Sequence, residues 1–108
     1  MQYKVKMTMY ATQQAQKIVS YISHELLSPE TAAGWVDYLQ KEISGLDTFP
    51  ARNPCIEEEP WKTKGIRRLP VKNFLVYYWI DEENSTVWIT AVIYGKRDQI
   101  ERLKEMPI

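Results

Sequence analysis

Cysteine is almost missing from this chain. Cys55 is the only one in 108 residues, so no internal disulfide can form. His24 is the only histidine, and a lone thiol without clustered imidazoles cannot build a zinc site. No metal and no cofactor are expected. Net charge is lacking too: 14 Lys and Arg balance 14 Asp and Glu. That argues against a general nucleic-acid coat, although a neutral total can hide an uneven distribution. Long apolar runs are also missing. The opening Met1-Gln2-Tyr3-Lys4-Val5 has no signal-peptide core, and no stretch is long enough to span a bilayer. The expectation is a cytoplasmic protein with no membrane partner. Repeats and low-complexity tracts are absent as well.

What remains is ordinary globular material, 44% hydrophobic and 26% charged. The length predicts one domain over 1–108 with one core about two layers thick. Four Trp and seven Tyr are many for this length, so some should lie outside the core.

The pattern of apolar residues orders the elements. Tyr3 to Met7 alternates and reads as a strand. From about Tyr10 the period lengthens, and Ala11, Ala15, Ile18, Val19, Ile22 and Leu26 share one helical face. Ser28-Pro29-Glu30 starts a second helix: Ser caps, Pro suits the first position, and Glu meets the positive helix end. Ala32, Val36, Leu39, Ile43 and Leu46 form its apolar face, and Gly45 and Pro50 end it. Phe49 to Pro60 reads as a loop. Three strands follow, Gly65 to Val71, Phe74 to Ile80 and Thr86 to Tyr94, with turns at Lys72-Asn73 and Asp81-Glu82-Glu83-Asn84. Asp98 caps a short last helix carrying Ile100, Leu103 and Met106. The predicted class is α+β: an N-terminal strand, then an antiparallel helix hairpin packed on one face of a mostly antiparallel four-stranded sheet, then a short C-terminal helix. The other face of the sheet is expected to be more open.

The neutral total does hide a pattern. Trp61 to Trp79 holds Lys62, Lys64, Arg67, Arg68 and Lys72 and no acid, and Lys96, Arg97, Arg102 and Lys104 follow later. The acids gather at Glu57-Glu58-Glu59 and Asp81-Glu82-Glu83. Cations on a sheet beside Trp61, Tyr77, Trp79 and Trp88 suit phosphate contact and base stacking. For any single lysine, a solvated surface charge is the simpler account. Arg67 alternates with Leu69 and Val71, so it is expected on their face, holding a local acid.

Gly65-Ile66-Arg67-Arg68-Leu69-Pro70-Val71, Asn73-Phe74-Leu75-Val76-Tyr77-Tyr78-Trp79-Ile80-Asp81 and Ile93-Tyr94-Gly95-Lys96-Arg97-Asp98 resemble the last three strands of RelE/ParE toxins. The leading strand and helix pair fit the same architecture, so the resemblance covers nearly the whole chain. It implies a toxin held by a cognate antitoxin, which would lay an amphipathic helix or an extended segment into an apolar groove. Trp35 and Trp61 are candidate anchors there. RelE-type members cut mRNA on the ribosome without a metal. The RNA 2′-hydroxyl attacks the next phosphate, which calls for cations against the growing charge and for groups that take and give protons. On that branch Arg97 matches a catalytic arginine, and Arg68 stands where a catalytic lysine occurs. Tyr94 could transfer a proton, and Lys62, Lys64, Arg67, Lys72 and Lys96 would contact RNA. Two positions depart from the pattern: Leu75, where many active members carry arginine, and Leu103, about where one branch has a catalytic tyrosine. ParE-type members instead bind DNA gyrase and need no catalytic set. An inactive relative that only binds its antitoxin is the third reading.

Overall fold

The computed structural model describes residues 2–25, 29–71 and 74–94. Its elements are β1 (Lys4–Met7), α1 (Met9–Glu25), α2 (Pro29–Ser44), β2 (Arg67–Val71), β3 (Phe74–Asp81) and β4 (Thr86–Tyr94), with 3₁₀ turns at Gly45–Asp47 and Pro50–Arg52. The expected last helix after Asp98 and the turn at Lys72-Asn73 lie outside the described residues. The strands form one sheet in the order β1-β4-β3-β2. β1 runs parallel to β4, and the other two pairings are antiparallel.

Local chemistry sets the boundaries. Thr8 caps α1: its Oγ1 accepts from the Ala11 backbone N–H at 3.1 Å. The Thr8 N–H donates to Ile89 O at 2.9 Å, which ties the helix start to β4. α2 begins at Pro29, where the missing amide proton costs nothing. It stops at Ser44, two residues short of Leu46, and the 3₁₀ turn after it still buries that leucine. Arg52 Nη1 donates to Gly45 O at 3.0 Å and Thr48 O at 2.8 Å, so one guanidinium closes the whole link after α2.

Period-two alternation divides the sheet into two faces. The inner face carries Val5, Met7, Leu69, Val71, Phe74, Val76, Tyr78, Val87, Ile89 and Val92, and packs against Ala11, Trp35, Leu39, Ile43 and Leu46 of the helical side. Each fully buried aliphatic side chain here contributes about 1.5–3 kcal/mol by leaving water. Trp35 stacks at 4.5 Å, tilted, on Phe74, yet its buried Nε1 has no hydrogen-bond partner among the described residues.

The outer face is not open as the sequence predicts. Leu75, Tyr77, Ala91 and Ile93 pack there with Ile56, Trp61 and Ile66 in a second core. Segment 55–66 folds back to make it: Ile56 N–H donates to Ile66 O at 2.9 Å, and Ile66 N–H to Trp61 O at 3.1 Å. The predicted loop is therefore a lid on half the outer face. β2 accordingly starts at Arg67 rather than Gly65.

Candidate functional site: the outer face of the sheet

The second core fills the half of the outer face nearest the β2–β3 connection. On the other half, Trp79 and Trp88 stand opposite each other in the β3–β4 register. They line a pocket of about 520 Å3 together with Thr8, Lys64 and Thr90. Trp79 is 39% exposed. Gly65 turns the chain beside it: its φ of +78° lies in the left-handed region that favours glycine, and an added Cβ would meet Trp79 Cδ1 at an ordinary contact distance of 3.7 Å. β1 borders the pocket with Lys4 and Lys6, paired in register with Thr86 and Trp88. Lys6 Nζ lies 5.7 Å from the Trp88 ring centroid, a cation–π contact.

A β-bulge shapes the floor. Tyr77 pairs with Ala91 and Tyr78 with Ile89, which leaves Thr90 as the extra residue. Its Oγ1 donates to Tyr77 O at 3.2 Å. Thr8 Oγ1 is already engaged as the helix cap.

The residues singled out from sequence fall in different places. Arg68 is exposed on the outer face, in register with Tyr77. Burial pushes the Tyr77 phenol above its ordinary pKa, and the Arg68 cation beside it pulls the other way. Lys62 and Lys64 are exposed on the 61–65 turn, and Lys64 reaches the tryptophan pocket. That turn is braced by Glu59, which accepts from Thr63 N–H at 2.9 Å and Thr63 Oγ1 at 2.7 Å. Those bonds hold its carboxyl below the usual range.

Arg67 lies on the inner face, as its alternation with Leu69 predicts, and among the described residues it bonds to backbone carbonyls instead of the expected acid. Its Nη1 donates to Asn53 O at 2.6 Å and Ala51 O at 3.3 Å. Its register partner Tyr78 donates to Pro50 O at 2.6 Å and accepts from Asn53 Nδ2 at 3.1 Å. The pair pins the 50–53 turn to the sheet. Tyr94 closes the β4 backbone opposite Phe74. Lys72, Lys96, Arg97 and Leu103 lie outside the described residues. Of the aromatic group, Trp61 and Tyr77 are buried and so is Trp35. Trp79 and Trp88 alone of these five stand at the surface. Their pairing was readable by counting back from the Asp81–Thr86 turn.

A second concavity of about 700 Å3 runs between α1, α2 and the inner side of β1, lined by Val5, Met7, Ala15, Val19, Trp35, Leu39 and Ile43 among others. Among the described residues, no three His, Cys, Asp or Glu side chains gather as a metal site, and no helix is long and apolar enough to cross a membrane.

A helix pair on one face of a four-stranded, mostly antiparallel sheet, with an N-terminal strand at its edge, is the RelE/ParE toxin fold. Residues 5–99 match the family model described as the ParE toxin of the type II toxin–antitoxin system parDE, and the chain belongs to that family. It is thus the toxin component of a type II toxin–antitoxin system. No curated protein sequence matches the chain. Among solved structures, the chromosomal ParDE system of Pseudomonas aeruginosa superposes with a TM-score of 0.71 at 17% identity, covering 88% of this chain and 98% of that one. The RelBE2 toxin–antitoxin complex of Mycobacterium tuberculosis gives 0.59 at 23% identity, covering 86% and 91%. A free-state mutant of the Escherichia coli toxin RelE gives 0.62 at 13% identity, covering 98% and 94%. These identities speak for the shared fold alone.

Proposed function

We propose that this toxin acts in the cytoplasm by binding and inhibiting a protein target, DNA gyrase on the pattern of ParE-type toxins, and not by cutting mRNA. One observation carries the reading. Leu75, where many RNA-cleaving members carry an arginine, is 9% exposed and packed in the second core with Trp61 and Ile66. A charge could not be accommodated there without dismantling that core. The neighbouring phenol, Tyr77, is buried with its pKa raised, the wrong direction for a general base at neutral pH. Ribosome-dependent cleavage is the second reading. Arg68 supports it, because it is a solvent-facing cation on the strand where the resemblance puts a catalytic lysine, and Arg97 and Tyr94 would be its companions.

A cognate antitoxin is the partner in either case. The groove between α1, α2 and β1 suits an amphipathic helix, with Val5, Met7, Leu39 and Ile43 as its apolar floor. Induced expression with and without the antitoxin, followed by mapping of mRNA ends and DNA topology in the same cells, tests the proposal. Growth arrest with intact mRNA and an SOS response supports target inhibition. Codon-phased cuts that vanish in Arg97→Ala support cleavage, and unaffected growth would leave an inactive antitoxin-binding relative.

A further inference from the structure

The gyrase reading assigns the tryptophan pocket nothing, whereas the cleavage reading would set its rings and Lys64 against RNA. It sits on the outer face, towards the Asp81–Thr86 turn and beyond the position of Leu75. We propose that it docks an acidic segment of a protein partner, which inserts one large apolar or aromatic side chain between Trp79 and Trp88 and sets carboxylates against Lys6 and Lys4.

Three observations choose this occupant. The first is the lining. Thr90 Oγ1 donates to Tyr77 O and Thr8 Oγ1 accepts from Ala11 N–H, so each hydroxyl enters with one of its bonds already made. The rest of the lining is the two indole rings and Lys64, and a side chain that needs contact area fits a cleft of about 520 Å3. The second is charge. Lys4 and Lys6 are both exposed and share the outer side of the edge strand, and Lys6 already lies over Trp88. An arriving carboxylate meets a cation held at the rim of an apolar floor, the arrangement of a hot-spot anchor with a charged rim. The third separates a peptide from a nucleic acid. β3 leads from Trp79 directly into Asp81, Glu82 and Glu83, and Glu82 accepts from Tyr3 Oη at 2.9 Å at this same end of the sheet. A single strand carries a negative charge at every nucleotide and would have to run past those acids. A peptide can carry its acids only where it meets Lys6.

Tryptophan fluorescence titration of the full chain tests this. The probe is a short synthetic peptide with one central Phe flanked by Glu; its controls replace the Phe by Ala or the Glu by Lys. An oligo-dT strand is the competing probe. The expected result is saturable binding of the first peptide alone, weakened about tenfold or more by Trp88→Ala and severalfold by Lys6→Glu. The Lys6 effect shrinks as salt is raised. Lys6 is exposed, so that variant keeps the test valid even if Trp88→Ala disturbs folding. The proposal is overturned if the peptide does not bind, if it binds equally to the Lys6→Glu protein, or if oligo-dT binds more tightly and is the ligand that Trp88→Ala loses. None of these results depends on whether gyrase is the target.

Discussion

The two faces of the sheet are built from the same four strands and have different tasks. The inner face buries one continuous core under α1 and α2. The outer face is divided: segment 55–66 covers one half through Trp61, and the other half shows Trp79 and Trp88 to solvent. Tryptophans therefore stand in two roles on one surface, Trp61 at 6% exposure and Trp79 at 39%. Aromatic content alone therefore does not mark a binding face. What surrounds each ring decides whether it supports the fold or is available to a partner.

Replacing the two rings breaks the comparison most sharply. Trp61→Ala should cost about 3–5 kcal/mol, because it empties the second core. Trp79→Ala should cost under about 1 kcal/mol. Urea denaturation midpoints of the two variants measure the gap, and equal losses would mean that the outer face is not divided as described.

The inner face has its own anchor to test. Tyr78→Phe removes the donor to Pro50 O and should cost about 1–3 kcal/mol. Arg67→Ala should cost a similar amount. Since both hold the 50–53 turn, the double variant should lose less than the sum of the single losses.

Alkaline pH probes both faces at once. Burial raises the pKa of Tyr77 on the outer face and of Tyr78 on the inner face. A raised phenol pKa in the fold means that its stabilising effect is complete below about pH 10, the ordinary phenol value. It is lost as pH rises through the folded-state values. Stability should therefore be flat up to about pH 9 and fall above pH 10, and Tyr77→Phe should soften the fall. Denaturation midpoints across that range would show it. The smallest effect expected is at the turn beside the tryptophan pocket. Ser85 has φ +47°, so Ser85→Gly should leave stability unchanged or raise it by up to about 1 kcal/mol, readable as a small rise in Tm.

Much of the fold was legible because it is periodic. The helical faces of Ala11 and Leu39 and the alternation of Thr86 to Tyr94 belong to elements whose apolar spacing differs plainly. The second core was legible in principle and was missed. Phe74-Leu75-Val76-Tyr77-Tyr78 is an unbroken apolar run, the pattern of a strand buried on both sides, yet an antiparallel sheet under one helix layer suggested an open face. The partners of Arg67 were not legible. Its carbonyl acceptors come from residues 14 and 16 positions earlier, a contact that only the folded chain creates. For the site, residue type drew attention to the basic run. Backbone register then separated its members, sending Arg68 outward beside Tyr77 and Arg67 inward to the 50–53 turn.

The proposed inhibition of a protein target rests on this outer face closing over Leu75. Purified toxin assayed in parallel against gyrase supercoiling and against mRNA on programmed ribosomes tests it most directly. Loss of supercoiling, reversed by the antitoxin, with the mRNA left whole is the expected result. Cleavage of the mRNA at the ribosome with supercoiling untouched would contradict it.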